Sequence, residues 1–271
     1  MKVFLNNQLY EKEDINEILE PGYLFGWGAF ETMRAWDGKI PHLKSHLARL
    51  EEALRVLGLD AVVLEWEKEI TRLLDENGLA RGDAYIRITV YKKRKSTGVI
   101  MYTDTFGYYP PEVYDTGFKA VISPYRRYEH SGLRAVKSLS YGYNRLSWLY
   151  AQQHKKDEAL VVSVRGDIVG GARSNLFLIR DGTVYIPGED ASVFTGITAQ
   201  EICTIIKTLG VPVKEKKIGQ DDIARCDEAF LTSSLLYVMP LVEWEGRPIS
   251  SGRPGELSRQ ILKNYRENIY G

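Results

Sequence analysis

Lys137 stands in the stretch Arg134-Ala135-Val136-Lys137-Ser138-Leu139-Ser140-Tyr141-Gly142-Tyr143-Asn144, among residues that do not suit a solvated cation. The two small apolar residues before it read as the end of a strand. Tyr143, Leu146 and Tyr150 after it recur at helical spacing. A lysine at a strand end is often an ordinary edge residue. In a cleft, however, a desolvated lysine has a depressed pKa, becomes an amine nucleophile and can form a Schiff base with a carbonyl. Elsewhere the chain offers groups that bind anions. The start Phe194-Thr195-Gly196-Ile197-Thr198 opens a helix that Thr195 or Thr198 can cap, and free amides in a first helical turn hold phosphate. A hydroxyl cluster, Thr232-Ser233-Ser234, follows a strand, and Arg87 sits between Tyr85 and Thr89 on one strand face.

The elements that must position these groups are regular. Leu43, Leu47, Leu50, Leu54 and Leu57 recur at steps of four and three, an amphipathic helix flanked by His46 and Arg49. A basic residue beside such a stripe is most often a snorkelling surface side chain. A second helix runs around Trp66, Ile70, Leu73 and Leu74 and stops at Asn77-Gly78. Ala84 to Tyr91 alternates as a strand, and the Asn6-Asn7, Asp37-Gly38, Asp181-Gly182 and Glu245-Gly246 pairs read as turns. Gly22 to Arg34 reads as a glycine-punctuated loop leading into a strand. Thr105 to Asp115 has the prolines and polarity of a connector. Arg126 to Leu133 reads as a basic loop. The expected domains are therefore residues 1–110 and 118–271, joined by 111–117.

The 36 basic and 36 acidic residues cancel, so no excess charge steers the chain to nucleic acid or an anionic membrane. No metal signature is present and no apolar run is long enough to span a bilayer. The first residues turn polar too soon for a signal peptide. Cys203 and Cys226 read as reduced core residues, which points to the cytoplasm.

Taken in order, Phe25-Gly-x-Gly-x-Phe-Glu-Thr, His46-x-x-Arg49-Leu50, Lys137-Ser-x-x-Tyr141, Ser174-Asn175-Leu176-Phe177, Gly196-Ile197-Thr198 and Phe230-Leu-Thr-Ser-Ser with Pro240 resemble the class IV aminotransferases. These are pyridoxal-phosphate enzymes of fold type IV, among them branched-chain aminotransferases, D-amino acid aminotransferases and aminodeoxychorismate lyases. The resemblance implies an α+β fold with a small α/β N-terminal domain, a larger β-barrel-like C-terminal domain with helices, and pyridoxal 5'-phosphate between them. It implies that Lys137 carries the cofactor and later shuttles the substrate proton. Arg49 would pair with the phosphate, the amides of Ile197 and Thr198 and the hydroxyl of Ser234 would complete the cup, and Tyr141 would bond the phenolic oxygen. Arg34, Arg87, Ser233 and Leu235 are the candidates for the substrate carboxylate. A homodimer is implied too, with the Gly22 to Gly28 stretch near the partner's cleft.

Two positions depart from the family pattern. Where the family has a glutamate that keeps the pyridine nitrogen protonated, this chain has Gly170. Losing such a bond removes on the order of 1.5 to 3 kcal/mol, or roughly ten- to a hundred-fold in rate if it acts only in the transition state. Ala199 stands where arginine often follows the threonine. Three readings result: an aminotransferase exchanging an amino group between an amino acid of branched-chain or D type and a 2-oxo acid; a carbon-oxygen lyase releasing pyruvate from aminodeoxychorismate; and a degenerate cofactor-binding homologue, which a glutamate restored at 170 would reactivate.

Overall fold

The computed structural model describes residues 1–107, 109–128, 130–188 and 194–270; Tyr108 of the expected connector and Glu129 of the expected basic loop lie outside them. The chain opens with an antiparallel hairpin, β1 (Lys2–Leu5) and β2 (Gln8–Glu11). Asn6 and Asn7 turn it with φ of 47° and 68°, a left-handed backbone that asparagine tolerates. A 3-10 helix (Lys12–Leu19) and α1 (Pro21–Phe25) follow. The expected Gly22 loop is therefore helical at its start, and Gly26, with φ 61°, ends it. Then comes β3 (Gly28–Trp36). Asp37-Gly38 turns the chain as expected, but the return strand is a single bridge from Trp36 to Lys39.

Next come α2 (Leu43–Val56), α3 (Trp66–Glu76), β4 (Asp83–Lys92) and β5 (Thr97–Thr105). The last two join β3 in an antiparallel sheet of order β3-β4-β5. Alternation along β4 sends Ile86, Ile88 and Val90 into a core with Leu50, Leu54, Ile70 and Leu74. Tyr85 and Arg87 are thereby left on the opposite face.

The connector contains α4 (Pro111–Thr116). The rest of the chain builds β6 (Phe118–Arg127), α5 (Gly142–Gln153), β7 (Glu158–Ser163), β8 (Ile168–Gly171), β9 (Asn175–Arg180), β10 (Thr183–Pro187), α6 (Ile197–Thr208), β11 (Val213–Lys216), α7 (Gln220–Ala224), β12 (Glu228–Ser233), β13 (Tyr237–Trp244), β14 (Arg247–Pro248) and α8 (Glu256–Tyr270). The basic loop thus starts only after Arg127, because β6 runs that far. Among the described residues these strands form one mixed sheet in the order β11-β10-β9-β12-β13-β6-β7-β8, with β14 on β13. The sheet curls until Ile168 N of β8 donates to Ile218 O, just past β11, at 2.7 Å, giving a partly closed barrel. Its core is separate from that of the first sheet and includes the stacked rings of Phe177 and Phe230 with Ile202 and Ile206 of α6. Both sheets contribute to the site between them.

Candidate active site

Lys137 follows a turn, not a strand. Val136 N donates to Leu133 O at 3.0 Å, after which the segment lies along β3: Phe30 N donates to Lys137 O at 2.9 Å and Leu139 N to Gly28 O at 2.8 Å. The apolar residue ahead of the lysine is an anchor, since Val136 is buried in the core of the first sheet while Ala135 is exposed. Gly28 permits the approach, because a side chain there would collide with Val90 O and Leu139.

Two adjoining cavities meet at this lysine. The first, about 360 Å3, is lined by Lys137 together with Arg49, Tyr141, Ile197, Thr198 and Ser234. The second, about 340 Å3, shares Lys137, Tyr141 and Ser234 and adds Phe30, Arg87 and Leu235; Ser233 borders both. The residues expected at the cofactor thus face one space, and Arg87, Ser233 and Leu235 face the next. Gly170 lines neither. Arg34 borders a separate cavity of about 480 Å3. There its Nε donates to Asp83 Oδ1 at 2.6 Å, its Nη2 pairs with Asp83 Oδ2, and its guanidinium lies between the rings of Phe106 and Tyr237 at 4.4 and 4.6 Å. Its place near the end of β3, opposite Tyr85 of β4 and two residues from the Trp36–Asp83 pair, commits it to Asp83 and takes it away from Lys137.

The field around Lys137 comes from one buried cluster. Glu31, 1 % exposed, accepts from Arg49 Nε and Nη2, each at 2.7 Å, and from His46 Nδ1 at 2.7 Å. Burial opposes the carboxylate's charge, but the bonds from His46 and Arg49 outweigh it and hold Glu31 down at about 2. Burial also keeps His46 below its usual range, against the pull of Glu31, so the contact is a neutral imidazole N–H donating to a carboxylate. Two of Arg49's nitrogens are committed to Glu31, which fixes its remaining Nη1 for the cavity. Lys137 itself has no hydrogen bond or ion pair among the described residues; its Nζ lies 4.7 Å from the Phe30 ring centre and 5.5 Å from that of Phe194. Burial lowers its pKa to about 8, with Arg49 and Arg87 adding to the shift and Glu31 opposing it. Arg87 also carries no ion pair: it spans to Thr89 Oγ1 at 3.2 Å and lies 3.9 Å over Phe30.

The far end of the first cavity is an anion cup. Helix α6 begins at Gly196 with no side-chain cap, so neither Thr195 nor Thr198 serves as one, and the first amides are left free. Asn175 of β9 clamps this start: its Nδ2 donates to Phe194 O at 2.6 Å and its Oδ1 accepts from Gly196 N at 3.1 Å. A side chain at 196 would collide with that Oδ1. Thr232, fully buried, faces the same space, and its Oγ1 has no partner among the described residues. On the other flank Tyr141 Oη and Asn144 Nδ2 donate to Ala172 O at 3.3 and 2.7 Å. Uncapped amides and an orphaned hydroxyl for a phosphate, with an unpaired amine for an aldehyde, fit pyridoxal phosphate.

The buried carboxylate Glu31, the clamp Asn175 and the orphan Thr232 were not among the residues singled out, although each stands inside a quoted motif or hydroxyl cluster. Nothing local marks a polar residue as buried. Ala199 is buried against the barrel core. Gly170 has φ 139°, and a Cβ would lie 2.9 Å from Ser174 O. A glutamate placed there is strained, and its absence is a backbone change as well as a lost charge. From the cup geometry, Gly196→Ala is expected to displace Asn175 and weaken retention of pyridoxal phosphate by tenfold or more, on the order of 1.4 kcal/mol; titrating stripped protein at the cofactor's visible band measures it.

The pattern that defines the family described as amino-transferase class IV matches residues 28–244. A putative branched-chain-amino-acid aminotransferase of Methanocaldococcus jannaschii is 29% identical over 98% of this chain and 96% of its own length. A D-alanine aminotransferase of Staphylococcus epidermidis is 30% identical over 99% of this chain and 98% of its own. Among solved structures, the branched-chain aminotransferase of Thermoproteus uzoniensis with norvaline superposes with a TM-score of 0.85 at 27% identity, covering 99% of this chain and 94% of that one. With the matched span running from the glycine that seats Lys137 to the end of β13, the chain belongs to the class IV amino-transferase family, enzymes that work with pyridoxal 5'-phosphate.

Proposed function

We propose that the protein moves an amino group between an amino acid of branched-chain or D type and a 2-oxo acid, with Lys137 as the reacting amine. The observation that carries this is the placement of Lys137 where the two cavities meet, one ending in the anion cup and the other in Arg87, with no ion pair to either cation among the described residues. Bound pyridoxal phosphate supplies an electron-withdrawing ring that takes up the electron pair released at the substrate Cα. Lys137 Nζ would hold the aldehyde and, lying beside the substrate Cα, would serve as the base that carries its proton. The α6 amides, Ser234, Thr232 and the free nitrogen of Arg49 hold the phosphate. Tyr141 orients the phenolic oxygen, and Phe30 and Phe194 keep water from the amine. Arg87, with the backbone from Ser233 to Leu235, holds the substrate carboxylate.

The same reading divides the chain into residues 1–110 and 118–271 about the 111–117 linker, supported by the two separate cores. It makes a cytoplasmic enzyme, in keeping with two free cysteines, the buried Cys226 thiol being pushed up to about 12 by burial. No described helix is long and apolar enough to cross a membrane. A homodimer is part of it, since Tyr23, Leu24, Phe25 and Trp27 present 69%, 52%, 73% and 42% of their surface on one short segment.

Three outcomes test the reading. The purified protein is expected to absorb in the visible and to lose that band in Lys137→Ala, while amino acids of branched-chain or D configuration shift it and yield 2-oxo acids. A colourless protein unable to take up the cofactor overturns the proposal, and pyruvate from aminodeoxychorismate without transamination replaces it with the lyase. Because the depressed pKa leaves Lys137 neutral above about 8, addition of pyridoxal phosphate to stripped protein should accelerate with rising pH and level off above that value, not above the ordinary lysine range. Light scattering should give twice the chain mass, and a strict monomer at working concentration removes the dimer.

A further inference from the structure

The pyridine nitrogen of bound pyridoxal phosphate needs an acidic neighbour if the ring is to stay protonated and draw electrons, and position 170 offers none. The wall segment Ala172 to Asn175 supplies a way to locate another. At one end Ala172 O accepts from Tyr141 and Asn144. At the other end Asn175 holds Gly196 at the phosphate cup. The ring carries its hydroxyl and its phosphate arm on the two carbons flanking the aldehyde carbon, which belongs to Lys137. A segment running from the hydroxyl corner to the phosphate corner, away from the lysine, therefore follows the edge that contains the nitrogen. The residues between its ends are Arg173 and Ser174, and both line the first cavity.

Behind Ser174 lies a carboxylate that the reaction scheme has not used. Glu158, the first residue of β7, is fully buried. Its Oε2 accepts from Ser174 Oγ at 3.0 Å and its Oε1 from Ala159 N at 3.0 Å. Gly171 makes room for the pair: a Cβ there would collide with Ser174 Oγ and come within 3.0 Å of Glu158 Cγ. Glu158 and Glu31 are the two fully buried carboxylates among the described residues, and they serve different partners, Ser174 for Glu158 and Arg49 with His46 for Glu31. Glu31 acts on Lys137, whereas Glu158 acts on Tyr141 and Tyr109 and is itself favoured in its charged form by Arg173. Burial pushes the Glu158 carboxyl up, so the ionised group gains from a cation set against its serine. Arg173, the other residue on this edge, is turned toward α5: its guanidinium lies 4.9 Å from the Trp148 ring and donates to Asp157 O at 3.3 Å.

We propose that Ser174, held by the buried carboxylate of Glu158, receives the pyridinium N–H of the bound cofactor, so that a serine–carboxylate pair does here what a glutamate at position 170 would do. The hydroxyl donates to Glu158 and accepts from the ring, and the proton stays on the ring nitrogen because an anion stands one hydrogen bond away. Both residues are positioning groups for the electron sink, and the inference rests on the cofactor reading above.

The test is to load the stripped protein with pyridoxal phosphate labelled with 15N in the ring and to read the nitrogen's chemical shift by NMR. The native protein and Ser174→Thr are expected at the protonated position. Ser174→Ala and Glu158→Gln are expected to move toward the neutral pyridine position, with kcat falling roughly ten- to a hundred-fold and KM little changed. Ser174→Ala alone decides the matter if Glu158→Gln does not fold. A neutral nitrogen in the native protein, or a protonated one unmoved by Ser174→Ala, overturns the proposal; in the first case a shift on Arg173→Ala would name the arginine as the partner instead. A protein that takes up no label fails the cofactor reading itself and takes this inference with it.

Discussion

Two backbone hydrogen bonds, from Phe30 N to Lys137 O and from Leu139 N to Gly28 O, hold the site together. They pin a segment that belongs to the second half of the chain onto the edge of a sheet built by the first half. Val136, sunk into that sheet's core, adds the apolar part of the same anchor. With this docking in place, a lysine from one half faces Arg49 and Arg87 from the other, and the cup of α6 closes the far side. Without it, the anion cup and the two arginines share no reacting group.

Once the lysine is seated, electrostatics decide what it can do. Glu31 lies within a cluster that leaves it ionised and spends its lone pairs on Arg49 and His46. It therefore fixes an arginine without touching the amine. Lys137 experiences two guanidinium groups, burial and, among the described residues, no carboxylate in contact, and those conditions favour the neutral form. Had Glu31 paired directly with Lys137, the amine would have been held charged and unreactive. A bidentate carboxylate–arginine pair thus does two things: it presents a cation to the cavity and withholds an anion from the lysine amine.

Gly170 shows how a missing side chain can mislead when it is considered apart from its backbone. Its φ of 139° and its closeness to Ser174 O belong to the end of β8, where the backbone suits glycine, with Gly171 beside it leaving space for Ser174 and Glu158. A buried carboxyl group stands on the neighbouring strand instead, one hydrogen bond behind Ser174. A departure from a family pattern is then a rearrangement of neighbours, and its consequence depends on what the vacated volume admits.

Periodicity alone established the helices at Leu43 and Trp66, the alternation on β4 and the turns at Asn6-Asn7 and Asp181-Gly182, because these depend on residues within a few positions of one another. The ordered motifs pointed to the family and, through it, to Lys137, Arg49 and the Gly196-Ile197-Thr198 helix start, which the structure brings to one cavity. Tertiary structure alone decided that Lys137 follows a turn and not a strand, that Gly22 lies in a helix and that Gly196 is an uncapped start. It also decided that Arg34 belongs to Asp83, 49 residues away in the next strand but one hydrogen bond away in space. The same holds for the burial of Glu31, Thr232 and Glu158. A sequence names which groups can ionise or bond, but which of them lose their water, and which partner they then find, is settled only where distant segments pack together.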